Sequence, residues 1–277
     1  MRTILLPSGE AVPALGQGTW EIGDKTAHRQ AEISALRDGI DLGMTLIDTA
    51  EMYGNGKSEK LVAEAIAGRR DEVFLVDKVL PQHASLSGTI EACEASLKRL
   101  GTDRIDLYLL HWRGSVPLER TVRAFEQLIA AGKIRLWGVS NFDVDDMEEL
   151  MDLEPDQLPA VNQVLYNLTR RGIELGLLPW CRARGIPVMA YSPVEQGKLL
   201  GNAALKRTAD RLSATSAQVA LAWTLRHPDV TAIPKAGNAE HVRENRGAID
   251  LTLSAADLSE LDRAFPPPTK PIALEML

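Results

Sequence analysis

Short apolar runs alternate with longer amphipathic stretches along most of the chain. After a first strand that begins at Ala14, the runs predict strands at 45–48, 73–78, 105–111, 134–139, 160–163, 187–191 and 231–234. Val122, Phe125 and Ile129 show the helical spacing of the intervening stretches most clearly. These stretches predict helices at 26–42, 58–67, 87–100, 119–131, 144–153, 174–184 and 239–249, and two more pieces within 202–226. Eight strands that alternate with helices predict a parallel sheet, which closes naturally into an α/β structure, the (β/α)8 TIM barrel.

Smaller elements flank this predicted barrel in a single domain that spans residues 1–277. Residues 3–13 predict an N-terminal β-hairpin around a Pro-Ser-Gly turn, which would close one end of the barrel. A C-terminal helix is predicted at 255–265, and the twelve residues after it are expected to form an exposed tail. A doubly wound nucleotide-binding fold is the alternative, but the two GxG patterns at 16–18 and 54–56 lack the third glycine of its fingerprint.

The composition argues against several classes of function. With 31 Lys and Arg against 38 Asp and Glu, the formal net charge is −7, and the basic residues are dispersed, which speaks against a nucleic-acid partner. No apolar run approaches the ~20 residues that cross a bilayer, and a turn interrupts the N-terminus where a signal peptide needs an apolar segment. We therefore expect a cytoplasmic protein with no membrane partner. Cys93 and Cys181 lack a CxxC or His-Cys pattern, so neither a disulfide framework nor a metal site is expected.

Polar residues stand where the predicted strands end. Asp48, Lys78 and His111 each follow an apolar run, and Tyr53 comes shortly after Asp48. Later runs end at Ser140, Gln163, Tyr191 and Lys235. Because the carboxyl ends of parallel strands share one face of a barrel, we expect these side chains to converge there.

Asp48, Tyr53, Lys78 and His111 have complementary chemistry. A phenol with its usual pKa of ~10 is a poor acid at neutral pH, but a neighbouring ammonium stabilises the phenolate and a carboxylate holds the ammonium in place. A histidine beside the phenol could orient a carbonyl oxygen or share the proton transfer. Taken singly, each residue has an ordinary structural explanation, such as a turn, a packed ring or a solvated charge. Together they predict protonation of an oxyanion as hydride reaches carbon, which is carbonyl reduction.

The sequence resembles the aldo-keto reductase family over nearly its whole length. The resemblance is carried by LGQGTW (15–20), LIDTAEMYG (46–54), the run that ends at Lys78, LYLLHW (107–112), GVSNF (138–142), VNQVLYN (161–167), MAYSP (189–193) and AIPKA (232–236). It implies a (β/α)8 barrel that binds a nicotinamide cofactor in extended form without a Rossmann motif. It also implies that Tyr53 is the general acid, that Lys78 and Asp48 tune it, and that His111 orients the carbonyl group.

The resemblance further assigns residues to the cofactor and the substrate. Ser140, Asn141 and Gln163 match positions that hydrogen-bond the carboxamide, and Tyr191 matches the ring that stacks on the nicotinamide. More cofactor contacts are implied at Thr19, Trp20, Ser192, Pro193 and Val194, and in an adenosine-phosphate segment at Lys235, Ala236, Asn238, His241, Glu244 and Asn245. Trp20, Leu80 and Trp112 match positions that line the substrate pocket, although these tryptophans could also simply pack the rim.

The adenosine-phosphate segment leaves the choice of cofactor partly open. Lys235 offers a cation to the 2′-phosphate of NADPH, whereas many relatives have arginine at position 241 and a hydroxyl residue at position 236. An arginine fork suits phosphate better than a mostly neutral imidazole, so we expect NADPH to be preferred with weak discrimination against NADH. Arg243 could compensate or could point to solvent.

Short loops around the predicted pocket indicate an open site with little shape selection. The sequence is similar to bacterial aldo-keto reductases that act on methylglyoxal and other small aldehydes, which implies a small-molecule carbonyl substrate and favours a monomer. A Schiff-base aldolase that uses Lys78 is an alternative, but it would not need the residues at 140, 141, 163 and 191. A cofactor-sensing subunit without turnover is a third possibility, against which all four candidate catalytic residues are present.

Overall fold

The computed structural model describes residues 1–155 and 157–277 and contains an eight-stranded parallel sheet. Its strands follow one another in chain order: β3 (Gln17–Gly18), β4 (Leu46–Asp48), β5 (Phe74–Val79), β6 (Ile105–Leu110), β7 (Ile134–Ser140), β8 (Asn162–Leu165), β9 (Val188–Tyr191) and β10 (Val230–Ala232). Isolated parallel bridges pair Leu15 with Ala232 and Gly18 with Lys235, so the first and last strands meet. A Cβ on Gly18 would lie 2.6 Å from the carbonyl oxygen of Ile233, so this close seam requires glycine. The predicted barrel is confirmed.

Ten α-helices accompany the strands in the described parts of the chain. They are α1 (Arg29–Asp41), α2 (Lys57–Ala65), α3 (Leu86–Leu100), α4 (Leu118–Ala130), α5 (Val144–Met151), α6 (Leu177–Ala183), α7 (Ala203–Arg211), α8 (Ser216–Thr224), α9 (Ala239–Gly247) and α10 (Ala255–Ala264). Capping boxes begin α5 at Asp143, α8 at Thr215 and α10 at Ser254, because each side chain accepts a hydrogen bond from the first helical turn. None of the helices in the described ranges is both long and apolar enough to cross a membrane.

The hairpin closes the amino-terminal end of the barrel. It consists of β1 (Thr3–Leu5) and β2 (Ala11–Pro13), which pair antiparallel. Ile4 and Val12 are buried in the same apolar cluster as Leu46 and other residues of the barrel interior. This contact leaves the opposite end, where the strands terminate, as the open face.

Strand pleating decides which side chains reach the barrel axis. Leu46, Val76, Leu109, Val161 and Met189 belong to the interior cluster, whereas their strand neighbours pack outward against the helices. The residues two positions further along the same strands therefore also face inward, and they are Asp48, Lys78, His111, Gln163 and Tyr191. The polar layer is thus the continuation of the apolar interior towards the open end.

The segment after α10 forms an exposed tail, as the sequence predicted, but this tail is bound to the barrel. Most of it is exposed, but the backbone N–H of Leu274 lies 3.2 Å from a carboxylate oxygen of Asp143. Glu275 pairs with Arg170 at 2.6 Å. These polar contacts hold residues 272–277 against the loops at the open end of the barrel, which a hydrophobic pattern cannot reveal.

Candidate active site

Lys78 is the centre of the polar layer. Its Nζ lies 2.8 Å from a carboxylate oxygen of Asp48, 2.8 Å from the carbonyl oxygen of Thr49 and 3.1 Å from the hydroxyl oxygen of Tyr53. An ammonium has three N–H donors, and these three acceptors use all of them. Because the Tyr53 oxygen accepts the hydrogen bond from Lys78, the Tyr53 O–H proton remains available for another acceptor.

The backbone around Tyr53 holds the phenol in this place. Tyr53 begins a tight turn in which Gly54, Asn55 and Gly56 have left-handed φ angles of 56°, 53° and 81°. Glycine and asparagine adopt this conformation more readily than other residues. The turn is followed directly by α2, and the Tyr53 ring centroid lies 4.7 Å from the Nζ of Lys78.

Burial and charge act in opposite directions on this group. Burial raises the pKa of Tyr53, while Lys78 favours the phenolate and lowers the same pKa, so the net shift is upward. Burial likewise raises the pKa of Asp48 against the lowering influence of Lys78 and Gln163. Burial lowers the pKa of Lys78, but Asp48 and Tyr53 raise it by more, so the net shift is upward. The ammonium therefore stays charged at neutral pH.

His111 lies beside Tyr53 in a row of aromatic rings. The ring centroids of His111 and Tyr53 are 5.9 Å apart, Trp20 is 5.2 Å from Tyr53, and Trp112 is 4.9 Å from His111. Burial, and then the charge of Lys78, lower the pKa of His111 to about 2. The imidazole is therefore neutral at physiological pH and offers one N–H donor.

Gln163 and Ser140 present spare hydrogen-bonding atoms on adjacent strands. The Gln163 amide nitrogen donates to a carboxylate oxygen of Asp48 at 2.8 Å and to Sδ of Met189 at 2.9 Å, which uses both of its N–H groups and leaves its carbonyl oxygen as an acceptor. The Ser140 hydroxyl oxygen accepts from the Asn141 amide at 3.1 Å, which leaves its O–H as a donor. Ser140 and Gln163 are register partners in the sheet. The Ser140 O–H donor and the Gln163 oxygen acceptor lie on adjacent strands, so they match the carbonyl oxygen and the NH2 group of a carboxamide.

Asn141 and Tyr191 are bound to each other. The Asn141 amide nitrogen also donates to the carbonyl oxygen of His111 at 3.1 Å, and its side-chain oxygen accepts from the Tyr191 hydroxyl at 3.0 Å. Asn141 itself has a left-handed φ of 58°, a conformation that asparagine adopts more readily than most residues. The side chain that was predicted to bind a carboxamide is thus engaged within the protein, where it fixes the ring at the end of β9.

The other predicted cofactor contacts near the centre differ in accessibility. Thr19 is buried, and its hydroxyl group donates to the carbonyl oxygen of Asp48 at 2.9 Å and accepts from Ser58 at 2.7 Å. Its side chain is therefore already bonded, whereas Trp20 is 45% exposed. Residues 192–194 lie at the rim directly after β9, with Pro193 buried and the flanking Ser192 and Val194 half-buried.

The predicted adenosine-phosphate segment surrounds the start of α9. Asn238 caps this helix, since its side-chain oxygen accepts from the backbone N–H of His241 at 2.8 Å. Lys235 and His241 are exposed, Ala236 and Glu244 are half-buried, and Asn245 is buried. An exposed lysine and a capped helix start are an arrangement that can receive a phosphate group.

Arg243 is not the free cation that the sequence allowed. Its guanidinium nitrogen Nη2 lies 3.1 Å from a carboxylate oxygen of Asp38 on α1. The sequence left open whether Arg243 compensates for His241 or points to solvent; its side chain is 66% exposed, so it points to solvent while it pairs with Asp38. Lys235 therefore remains the cation of the segment without such a partner in the described part of the chain.

Sequence reasoning missed Glu51, although it lies inside the motif LIDTAEMYG. A carboxylate oxygen of Glu51 accepts from the backbone N–H of Leu80 at 2.7 Å and lies 2.9 Å from Nδ1 of His83. Leu80 is one of the predicted pocket residues and is half-buried. Glu51 thus anchors one wall of the pocket, but this role depends on a contact with the loop after β5 that no local pattern reveals.

Comparison with known proteins identifies the family of this chain. The sequence matches the model of the Aldo/keto reductase family over residues 14–265. Methylglyoxal reductase YeaE of Escherichia coli (strain K12) is 52% identical over 272 residues, which cover 96% of each chain. Glyoxal reductase of Bacillus subtilis (strain 168) is 35% identical over 260 residues, or 94% of this chain and 91% of that protein. The crystal structure of an aldo-keto reductase from Klebsiella pneumoniae in complex with NADPH has a TM-score of 0.96 and 50% identity, and the match covers 100% of this chain and 99% of that one. The chain therefore belongs to the aldo/keto reductase family.

Proposed function

We propose that this enzyme reduces small aldehydes such as methylglyoxal to alcohols at the expense of NADPH, with Tyr53 as the general acid. The observation that carries the proposal is the hydrogen bond from the Lys78 ammonium to the Tyr53 hydroxyl, at 3.1 Å, beside the neutral imidazole of His111. A phenol that is polarised by a buried cation and flanked by an N–H donor is suited to protonate a carbonyl oxygen.

Tyr53 gives its proton to the substrate oxygen in this mechanism. Burial keeps its pKa above the ordinary value, so the phenol is protonated at neutral pH and has a proton to give. Lys78 stabilises the phenolate that remains, because its charge already lies within hydrogen-bond distance of the oxygen. Asp48 holds Lys78 at 2.8 Å and keeps that ammonium charged in a buried site.

His111 orients the substrate and does not act as the acid. With a pKa of about 2, it carries no spare proton between pH 5 and 8. A neutral imidazole can still donate its single N–H to the carbonyl oxygen, which then lies between His111 and Tyr53. The burial of His111 thus supports a division of work in which Tyr53 is the acid and His111 orients the carbonyl oxygen.

NADPH supplies the hydride for the carbonyl carbon when it is bound. Ser140 and Gln163 fit its carboxamide, because the Ser140 O–H and the Gln163 carbonyl oxygen are the spare donor and acceptor. Tyr191 offers a ring that Asn141 holds in place. At the rim, Lys235 provides the cation for a 2′-phosphate, while position 241 holds an exposed imidazole in place of the arginine fork that suits phosphate better, so NADH remains a possible second donor.

A small aldehyde fits the exposed mouth of this site. Trp20, at 45% exposure, packs against the Tyr53 ring, the half-buried Trp112 lies beside His111, and Leu80, in the loop after β5, is half-buried. Two relatives that cover nearly the whole chain carry the names methylglyoxal reductase and glyoxal reductase. We therefore propose two-carbon and three-carbon dicarbonyl compounds as the preferred substrate class.

The aldolase alternative is disfavoured by the state of Lys78. A Schiff base needs a neutral amine, but Asp48 and Tyr53 raise the pKa of Lys78 and all three of its N–H groups are engaged. Incubation with a carbonyl substrate and borohydride should therefore leave Lys78 unmodified. A trapped adduct on Lys78 would favour the aldolase.

The decisive experiment compares Tyr53→Phe with a matched control, Tyr108→Phe. The Tyr108 hydroxyl is buried on the outward side of β6 and has no hydrogen-bond partner in the described part of the chain. With NADPH and methylglyoxal, Tyr53→Phe should lower kcat by about 10²- to 10⁴-fold, the usual contribution of a general acid. Tyr108→Phe should stay within about twofold of the wild type, and both variants should bind NADPH. Equal rates in the wild type and Tyr53→Phe would remove Tyr53 from the mechanism.

A further inference from the structure

Residues 272–277 contact three separate loops at the open face. The N–H of Leu274 approaches Asp143 in the loop after β7, Glu275 pairs with Arg170 in the loop after β8, and the N–H of Leu277 lies 3.4 Å from the Tyr191 hydroxyl at the end of β9. A cavity of about 330 Å³ lies between this segment and the barrel. It is lined by Trp112, Arg113, Asn141, Asp143, Asp146, Ala273, Leu274 and Met276. The segment is thus one wall of the space beside the predicted pocket residue Trp112.

The loop at 192–197 is held in a conformation that needs support. Ser192, Glu195 and Gln196 are not glycine, yet they have left-handed φ angles of 48°, 48° and 55°. Such residues persist only where the surrounding structure holds them. Asn167 provides part of that support, since its amide nitrogen donates to the carbonyl oxygen of Ser192 at 2.9 Å and to a carboxylate oxygen of Glu195 at 2.7 Å.

Arg170 also supports this loop through Glu195, and it contacts Glu275 in the segment at 272–277 as well. Two of its guanidinium nitrogens, Nε and Nη2, each lie 3.0 Å from the same carboxylate oxygen of Glu195, whose side chain is 7% exposed. The third nitrogen, Nη1, lies 2.6 Å from Glu275. One planar cation therefore joins the loop at 192–197 to the segment at 272–277, and the rigid fork of arginine suits such a double contact.

We propose that Arg170 is a positioning residue that couples cofactor binding at the loop 192–197 to docking of the segment 272–277, and so completes the substrate pocket after the cofactor has bound. This inference rests on the proposed function and on the cofactor contacts that the family resemblance implies for residues 192–194. A cofactor that stabilises the left-handed loop would fix Glu195, then Arg170, then Glu275. By thermodynamic reciprocity, a docked segment would in turn tighten the binding of the cofactor.

Hydrogen exchange of the protein with and without NADPH tests this coupling directly. In the wild type, NADPH should slow amide exchange in the loop 192–197 and also in peptides that contain Leu274 and Glu275. In Glu275→Gln, the loop should still be protected by NADPH, whereas the segment should lose the effect. Because the pair is partly exposed, the Kd for NADPH in this variant should rise only about two- to fivefold.

Two further variants separate the coupling from a general loss of order. Glu195→Gln should abolish the protection of the segment although Glu275 is intact. Arg182→Gln removes a similar two-contact pair with Asp229, at 2.6 and 2.9 Å, and should behave as the wild type does. The KM for methylglyoxal should rise about two- to fivefold in Glu275→Gln with kcat nearly unchanged, a split that simple unfolding would not produce.

The proposal is overturned if NADPH leaves the exchange of the segment unchanged in the wild type. It is equally overturned if NADPH protects the segment as well in Glu275→Gln as in the wild type. Exchange is measured without substrate, so the outcome does not depend on turnover. A protein that shows the coupling but reduces no aldehyde would contradict the proposed function and leave the coupling intact.

Discussion

Two clusters in this protein are built from the same chemical groups, a cation, a carboxylate and a phenol. The inner cluster, Asp48, Tyr53 and Lys78, faces the barrel axis. The outer cluster lies between the barrel wall and the helices and consists of Tyr166, Arg171, Glu174, Trp223 and Arg226. In the inner cluster the phenol accepts a hydrogen bond from Lys78, at 3.1 Å. In the outer cluster the phenol of Tyr166 donates a hydrogen bond to a carboxylate oxygen of Glu174, at 2.8 Å. The direction of this one hydrogen bond separates a group that can release a proton from one that only holds the fold together.

The surroundings of the cations explain the difference. Lys78 is fully buried and its partners are polar atoms of Asp48, Thr49 and Tyr53. The guanidinium carbon of Arg226 instead lies over the Trp223 ring, 3.7 Å from its centroid, and the same guanidinium group binds Glu174 at 3.0 Å. A stacked arginine gains from the ring face as well as from the carboxylate, so the outer cluster is suited to stability.

Replacement of Lys78 and of Arg226 by methionine should separate catalysis from stability. The fall in kcat of Lys78→Met is the largest effect that we predict. Lys78→Met removes the charge that stabilises the Tyr53 phenolate, and kcat should fall about 10²- to 10⁴-fold. Arg226→Met removes the ring stacking and the contact with Glu174, and the free energy of unfolding should fall by about 1–3 kcal/mol while kcat stays within about twofold. Denaturant titration and steady-state kinetics of both variants measure the two effects.

The stability of Lys78→Met needs its own control. The variant leaves the buried Asp48 without its cation, which costs about 3–5 kcal/mol for a broken buried pair. The double variant Asp48→Asn/Lys78→Met removes that unpaired charge, so it should recover part of the stability without recovering activity. Comparable losses of kcat in Lys78→Met and Arg226→Met would mean that the inner and outer clusters do not differ in function.

The inner cluster was predictable from the sequence, and the outer cluster was not. Asp48, Lys78 and His111 each end an apolar run, and the strand period places them on one face whatever the details of packing. The order of strands and helices, the hairpin and the closing helix followed from the same periodicity. Trp223, in contrast, lies within an apolar helix and meets Tyr166 only because of the way α8 packs on the barrel, although its contact with Arg226, three residues later, is local.

At the open end of the barrel, too, contacts between side chains on different loops could not be predicted from the sequence. The contacts of Arg170 with Glu195 and Glu275 join residues far apart in sequence, through side chains that would otherwise look like solvated charges. The segment 272–277 is exposed, as predicted, but its contacts with the loops were not foreseen. The engagement of Asn141 by Tyr191 and of Arg243 by Asp38 was hidden for the same reason. Periodicity places residues on faces, but it does not pair exposed charges across loops.

His111 near the inner cluster and His227 near the outer cluster should both make the stability of the protein depend on pH. Burial, assisted by Lys78, lowers the pKa of His111 to about 2, and burial with Arg226 and Arg182 lowers that of His227, beside the outer cluster, to about 4. Below pH ~6.5 the unfolded chain therefore binds protons that the native state does not, so the free energy of unfolding falls as the pH falls. One fully suppressed proton contributes about 1.4 kcal/mol per pH unit to this slope.

Glutamine variants of the two histidines should share the stability effect and differ in activity. His111→Gln should remove close to one proton from the slope between pH 6 and 4.5, and the half-buried His227→Gln a smaller part. Glutamine keeps N–H groups but does not place one where the imidazole nitrogen stands, so His111→Gln should also lower kcat/KM, by up to about 10²-fold as for a lost oxyanion donor, whereas His227→Gln should leave it unchanged. An inflection near pH 6.5 in the wild-type kcat/KM that disappears in His111→Gln would contradict a neutral His111.

The smallest effect is expected at the exposed rim, where charge is neither buried nor enclosed. His241→Arg places a permanent cation beside Lys235 at the start of α9, and the Kd for NADPH should fall about two- to fivefold, because exposed ion pairs contribute about 0.2–1 kcal/mol. The Kd for NADH, which lacks the 2′-phosphate, should not change. Arg243→Gln is the matched control, since Arg243 already binds Asp38 and its loss should affect neither Kd. Fluorescence titration of both cofactors measures these constants at low salt, where screening is weakest. An equal gain for NADPH and NADH would place the 2′-phosphate away from position 241 and leave Lys235 as its only cation on α9 and the preceding loop.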